Sequence, residues 1–298
     1  MNYIIFDLEW NNGYNHGIHK YINEIIEIGA VKLNDRLEII DTFKQLVIPI
    51  YTKKLSSRCM RLTKITPEEI SESGIDFNEA FSDFDRWSGT GETVFMSWSN
   101  SDLFVMSNNF LLYNNNCNIS FIKNYCDVQK YCMTFVKREG ENSNNQIGLS
   151  DCAEKMGIEI DTENLHRALT DCYVAAQCFK KVYNEDILKR FIHKCDNCYF
   201  ERLLFKPYYI TDPTSELFNV YHHELTCPVC KNKIKPSSEY IVQNKSFKGA
   251  VKCRKCRRSF WVFIRAKKTY DEVVIKEHYI EMNKKRARKL FSKPSPEK

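Results

Sequence analysis

At 298 residues and 43% hydrophobic content, the chain exceeds the usual size of one domain and can bury a substantial core. Its net charge of +6 divides unevenly, because residues 1–189 sum to −8 and residues 190–298 to +14. No apolar run approaches the roughly 18 residues of a membrane-spanning helix, and with a strand pattern at the first residues no secretion leader is expected. With Cys59, Cys117, Cys126, Cys132, Cys152, Cys172 and Cys178 scattered singly among apolar positions, a reducing, cytoplasmic setting is expected.

The first predicted element is a strand over 3–10, Tyr-Ile-Ile-Phe-Asp-Leu-Glu-Trp. A side-chain period of two puts Asp7 and Glu9 on one face and Ile4, Phe6, Leu8 and Trp10 on the other. Two acids side by side on a buried sheet are costly unless cations neutralise them, so this strand marks a metal site or else an edge with a solvated acidic face. Runs over 25–33 and 37–48, parted by Asn34-Asp35-Arg36, predict an antiparallel pair. Thr66-Pro67-Glu68-Glu69 is a capping box with proline at the first helical position. Phe77, Phe81, Phe84 and Trp87 supply the stripe of the next helix. A strand over 93–98 leads to Asp102 and a helix over 103–112, ended by Tyr113-Asn114-Asn115-Asn116. The polar stretch 138–146 reads as a loop, and a short helix over 149–156 stops at Gly157. His166 and Asp171 then open a helical pattern in which Asp171 shares a stripe with Ala175, Cys178, Phe179 and Val182. These features describe an α/β core over 1–188.

Asp7, Glu9, Asp102, His166 and Asp171, in this order, resemble the three exonuclease motifs of the DEDDh 3′–5′ exonucleases, the superfamily of ribonuclease T and the proofreading exonucleases. The likeness extends over about 1–185, and Arg61-Leu62-Thr63-Lys64-Ile65-Thr66-Pro67-Glu68-Glu69 is similar to the segment before the family's second motif. It implies a ribonuclease H-like mixed sheet flanked by helices. It also implies two divalent ions, Mg²⁺ or Mn²⁺, about 3.5–4 Å apart and held by Asp7, Glu9, Asp102 and Asp171, with His166 as general base. Leu8, Trp10, Leu62 and Ile65 are expected to contact substrate. Trp10 stands where many members carry a small hydroxyl residue, and Lys64 where glycine is frequent. The expected activity is 3′–5′ hydrolysis of single-stranded nucleic acid, RNA favoured over DNA. Alternatives are a catalytically silent binding module or a DNA proofreading or repair exonuclease.

Beyond a boundary near 186–194 come three CxxC pairs, Cys195/Cys198, Cys227/Cys230 and Cys253/Cys256. The last two pairs fit a zinc ribbon, since four thiolates on two tight knuckles give the closed tetrahedral site of structural zinc. Cys195/Cys198 has three open readings: a second zinc completed by His193, His222 or His223, a replacement for the Cys253/Cys256 pair, or two unligated thiols. The expected zinc-binding β domain spans 189–280 and a basic flexible tail spans 281–298. Arg254, Lys255, Arg257 and Arg258 lie close to Phe260, Trp261 and Phe263. That interleaving suits single-stranded nucleic acid, and it also suits a small two-faced strand.

Overall fold

The structure is a computed structural model that describes residues 1–136, 146–160, 167–237, 239–283 and 285. The expected loop at 138–146, apart from Gln146, and nearly all of the basic tail lie outside the described residues. The chain divides into two compact units between Leu204 and Phe205. Among the described residues no helix is long and apolar enough to cross a membrane.

The first unit is a seven-stranded mixed sheet with helices on both faces. Strands β1 (Asn2–Asn15), β2 (Lys20–Leu33) and β3 (Ile39–Val47) form an antiparallel meander. Helices α1 (Ser57–Thr63) and α2 (Pro67–Ser73) follow; Thr66 caps α2 by accepting from the Glu69 N–H at 3.1 Å. The short β4 (Gly74–Ile75) then runs parallel to β3. Helix α3 (Phe77–Ser88) leads to β5 (Thr93–Ser97), parallel to β1. Helix α4 (Ser101–Asn114), β6 (Asn124–Asp127), α5 (Val128–Met133), α6 (Leu149–Lys155), α7 (Ala168–Lys181) and α8 (Glu185–Leu188) come next. The unit closes with β7 (Ile192–Lys194) and α9 (Asn197–Leu204).

The alternation along β1 divides the unit into two cores. Ile4, Phe6 and Leu8 pack with Phe77, Phe84, Leu103 and Phe200 on the face of α3, α4 and α9. Tyr3 and Ile5 pack with Cys172, Ala175, Cys178 and Phe179 of α7 on the other. Each large side chain of this kind contributes about 1.5–3 kcal/mol by leaving water. The boundary expected at 188/189 is therefore displaced. Strand β7 pairs with β6, and Phe200 of α9 is fully buried in the first unit's core, so 189–204 belong with the sheet.

The second unit holds β8 (Tyr208–Tyr209), the hairpin β9 (Leu225–Thr226) and β10 (Lys233–Ile234), and β11 (Ile241–Gln243), β12 (Ser246–Lys252), β13 (Ser259–Lys268) and β14 (Val273–Glu281). The last four form an antiparallel sheet in sequence order, and β8 adds to the end of β13. Asn244 and Lys245, both at positive φ, make the two-residue turn between β11 and β12, as such hairpins require. One sheet face, carrying Phe247, Val251, Phe260, Val262, Ile264 and Ala266, is buried with Ile210, Phe218, Val220 and Leu225.

Candidate active site and cysteine cluster

On β1 the half-buried Asp7 and Glu9 leave the face that α7 covers, and Asp171 lies in the first turn of that helix. Carboxylate oxygens of the three come within 4.8 Å of one another. The approach is close because β2 offers no side chain at Gly29: a Cβ there would lie 2.3 Å from the Leu169 nitrogen. The Cys172 thiol reaches the Gly29 carbonyl at 3.3 Å. Asp102, 4% exposed in the first turn of α4, accepts from the Leu8 N–H at 3.1 Å and so fixes the strand between the two acids. Of the five expected catalytic positions, four carboxylates share this region. His166 lies outside the described residues.

Burial and mutual repulsion set the electrostatics of the site. Asp7 is pushed well above the usual carboxylate range by desolvation and then by the charges of Asp102, Glu9 and Asp171. Glu9 is pushed up to about 9 by desolvation, with Asp171 the strongest of its charged neighbours. Asp102 is pushed up to about 7 by desolvation, against the stabilising hydrogen bond from Leu8. Such a cluster holds protons or cations at neutral pH. An all-oxygen set of this kind fits a hard divalent cation that retains water and phosphate ligands, and it fits zinc less well.

The four expected substrate contacts separate. Leu8 and Ile65 are 2% and 0% exposed, closing hydrophobic clusters, whereas Trp10 is half-buried and Leu62 is 40% exposed on α1. Only Trp10 and Leu62 therefore present side-chain surface, because the sheet's apolar face takes Leu8 and the α1–α2 packing takes Ile65.

The sequence reading missed Glu27, which is fully buried on β2. No side chain of α7 caps its own N-terminus. Instead Glu27 accepts from the Ala168 N–H at 3.1 Å and pairs with Arg167 at 2.7 Å. Arg167 also pairs with Glu69 of α2 at 2.9 Å and holds that carboxyl below its usual range. A carboxylate at a helix N-terminus is favourable, and this one fixes the helix that presents Asp171. Its signal was available: Glu27 interrupts Ile25-Ile26-Glu27-Ile28 as Asp7 and Glu9 interrupt β1.

In the second unit, Cys227, Cys230, Cys253 and Cys256 place their sulfurs within 4.8 Å of one another, with Cys227 to Cys256 at 3.6 Å and Cys230 to Cys253 at 3.5 Å. A tetrahedral zinc with bonds of about 2.3 Å sets neighbouring sulfurs about 3.8 Å apart. Both knuckles close alike: Lys231 and Arg257, each directly after the second cysteine, take positive φ. Hydrogen bonds from the Cys256 backbone and from the Cys230 and Cys256 thiols hold the Cys253 thiol down to about 7. Burial and bonds to the other three thiols push Cys256 up to about 11, so the first proton leaves the cluster from Cys253. Cys195 and Cys198 belong to the first unit and join no third His, Cys, Asp or Glu ligand among the described residues of that unit. Burial pushes the Cys195 thiol up to about 12. Among the described residues the structure thus contains one four-thiolate cluster, that of the second unit.

Residues 4–179 match the RNase T family, described as exonuclease. The probable 3′–5′ exonuclease KapD of Bacillus subtilis (strain 168) is 28% identical over 174 residues, which cover 58% of this chain and 78% of that protein. ERI1 exoribonuclease 2 of Homo sapiens is 27% identical over 190 residues, 56% of this chain and 26% of that protein. Among solved structures, the nuclease domain of 3′hExo, a DEDDh family member bound to rAMP, is similar with a TM-score of 0.54 at 24% identity, over 65% of this chain and 97% of that one. That last likeness is one of fold.

Proposed function

The chain belongs to the RNase T exonuclease family and is a 3′–5′ exonuclease, and from that premise we propose that it shortens single-stranded nucleic acid from the 3′ end, RNA in preference to DNA. The observation that carries the reading is the meeting of Asp7, Glu9 and Asp171 within 4.8 Å, with Asp102 beside them. Four carboxylates confined together at neutral pH call for divalent cations, and a pair of Mg²⁺ or Mn²⁺ ions would supply charge neutralisation at the scissile phosphate and an acidified water.

The chain's own residues supply the remainder. Asp7 and Glu9, fixed by the strand, Asp102 in the first turn of α4 and Asp171, fixed by α7, would hold the cations. Asp102 also holds the Leu8 backbone and, through it, the spacing of the two strand acids. His166, directly before Arg167 in sequence, takes the proton of the attacking water, a role that an imidazole can serve. Trp10 and Leu62 offer apolar surface to the terminal nucleotide. The RNA preference draws support from the likeness to an exoribonuclease. One zinc ion in the Cys227/Cys230/Cys253/Cys256 cluster is structural, since four protein thiolates leave no open position.

The test is incubation of the purified chain with Mg²⁺ and 5′-labelled single-stranded RNA, single-stranded DNA and the corresponding duplexes. A ladder that shortens from the 3′ end, fastest on single-stranded RNA and absent without divalent cation, is the expected result. Equal rates on RNA and DNA would remove the preference, and cleavage without divalent cation would overturn the mechanism.

A further inference from the structure

We infer that the outward face of the β11–β14 sheet is a stacking platform for the unpaired bases of single-stranded nucleic acid, a surface that rests on the nuclease reading and extends it beyond the catalytic unit. The argument starts from the alternation of β13. Phe260, Val262, Ile264 and Ala266 are buried, while Trp261 and Phe263 are half-buried and Arg265 is exposed. Two aromatic rings therefore stand on the side of the sheet that the core does not use. Registering the neighbouring strands extends the same face. It carries Lys248 and Lys252 from β12, Arg265 and Lys267 from β13, and Lys276 and His278 from β14. No Asp or Glu stands at any outward position of the four strands. A surface that only solubilises mixes both signs of charge and omits large aromatics.

The groups are arranged around one another. Lys248 places its ammonium 4.8 Å from the centre of the Trp261 ring and 5.6 Å from that of Phe263. The His278 ring lies 6.3 Å from Phe263. A cavity of about 640 Å³ opens here, lined by Gln243, Lys248, Phe263, Arg265, Lys276 and His278 among others. At the far end of β13, Tyr209 lies under both the Arg265 guanidinium and the Lys245 ammonium, each 5.5 Å from its ring centre. The carboxylate of Glu277, whose residue also borders the cavity, is engaged by His223 at 2.6 Å and by the Tyr279 hydroxyl at 2.6 Å. Tyr279 packs against the core of the unit, so that negative charge is held on the opposite face. Rings with interleaved cations and no competing carboxylates suit bases and phosphates together. Only an unpaired strand can lay its base faces on these rings, which excludes a duplex as the preferred occupant.

The test uses the full chain carrying Asp7→Asn to block cleavage, with fluorescently labelled 20-nucleotide single strands and a 20-base-pair duplex. Phe263→Ala is expected to weaken single-strand binding about 5- to 100-fold and to leave duplex binding unchanged. A triple variant, Lys248→Gln with Arg265→Gln and Lys276→Gln, should flatten the salt dependence of single-strand binding by about 0.7 in log–log slope for each lost phosphate contact. Both sets of changes, placed in the active chain, should leave dinucleotide hydrolysis unaltered, and bound zinc serves as the check on folding. Unchanged single-strand affinity in both variants would overturn the platform, as would an equal loss for duplex and single strand in Phe263→Ala. Failure of the unmodified chain to hydrolyse a dinucleotide would instead count against the catalytic reading, and the binding comparison would still decide the platform.

Discussion

Replacing Asp102 by asparagine tests whether the acid cluster is held together against its own repulsion. The side chain is 4% exposed, and its oxygen accepts from the Leu8 N–H. Asparagine keeps an acceptor for that bond and removes the charge. In the fold the carboxyl is pushed from the ordinary 3.8 to about 7, first of all by desolvation. At 1.36 kcal/mol per pH unit, ionising it costs the folded chain about 4 kcal/mol. The sign follows from linkage: the folded state binds the proton more tightly than the unfolded state. Stability is therefore intact below pH 4 and is lost as pH rises toward about 7. Asp102→Asn should exceed the parent by about 1 kcal/mol at pH 4.5 and about 4 kcal/mol at pH 8. For a unit of this size the latter is a rise in Tm of roughly 8–16 °C. The assay is thermal unfolding in buffer free of divalent cations and of chelators, so that a thiolate-bound ion stays in place. Nuclease activity should fall together with the gain in stability, and Mg²⁺ should stabilise the parent far more than the variant. Equal or lower stability of Asp102→Asn at pH 8 would refute the claim that the site is electrostatically crowded.

Four further outcomes are expected. His166→Ala should lose about 10²–10⁴-fold in turnover while keeping its divalent-cation stabilisation, read by rate and by unfolding with and without Mg²⁺. Gly29→Ala should cost about 1–3 kcal/mol and most of the activity, because its Cβ would meet backbone atoms of Ala168 and Leu169 at 2.4 and 2.3 Å; unchanged unfolding and rate would contradict the close packing of α7. Glu27→Ala should cost about 2–3 kcal/mol, since it leaves the α7 N-terminus without its acceptor and Arg167 with Glu69 alone, and Glu27→Gln should restore part of that loss. Cys227→Ser should release zinc, measured by elemental analysis, and unfold the second unit locally, with the parent expected to hold one zinc per chain.

Local pattern alone determined much of this protein. The period of two along 3–10 identified Asp7 and Glu9 as neighbours on one face, because a strand allows no other arrangement. Thr66 and Pro67 marked the start of a helix through hydrogen bonds that close within three residues. The two CxxC knuckles were equally legible, since each is a single turn of chain. What lay beyond local pattern depended on contacts between distant segments. Asp171 reaches Asp7 only because Gly29 admits the α7 backbone and Glu27 receives its N-terminus. The end of the first unit moved past 188 because β7 finds an open edge at β6 and Phe200 finds a place in an aromatic core. Cys195 and Cys198 share the spacing of the other pairs, and spacing cannot report that no third ligand of their own unit stands near them among the described residues. The strand at 259–268 alternates visibly in sequence, but only the packing of Ile210, Phe218 and Leu225 beneath it decides which of its faces is core and leaves Trp261 and Phe263 on the other.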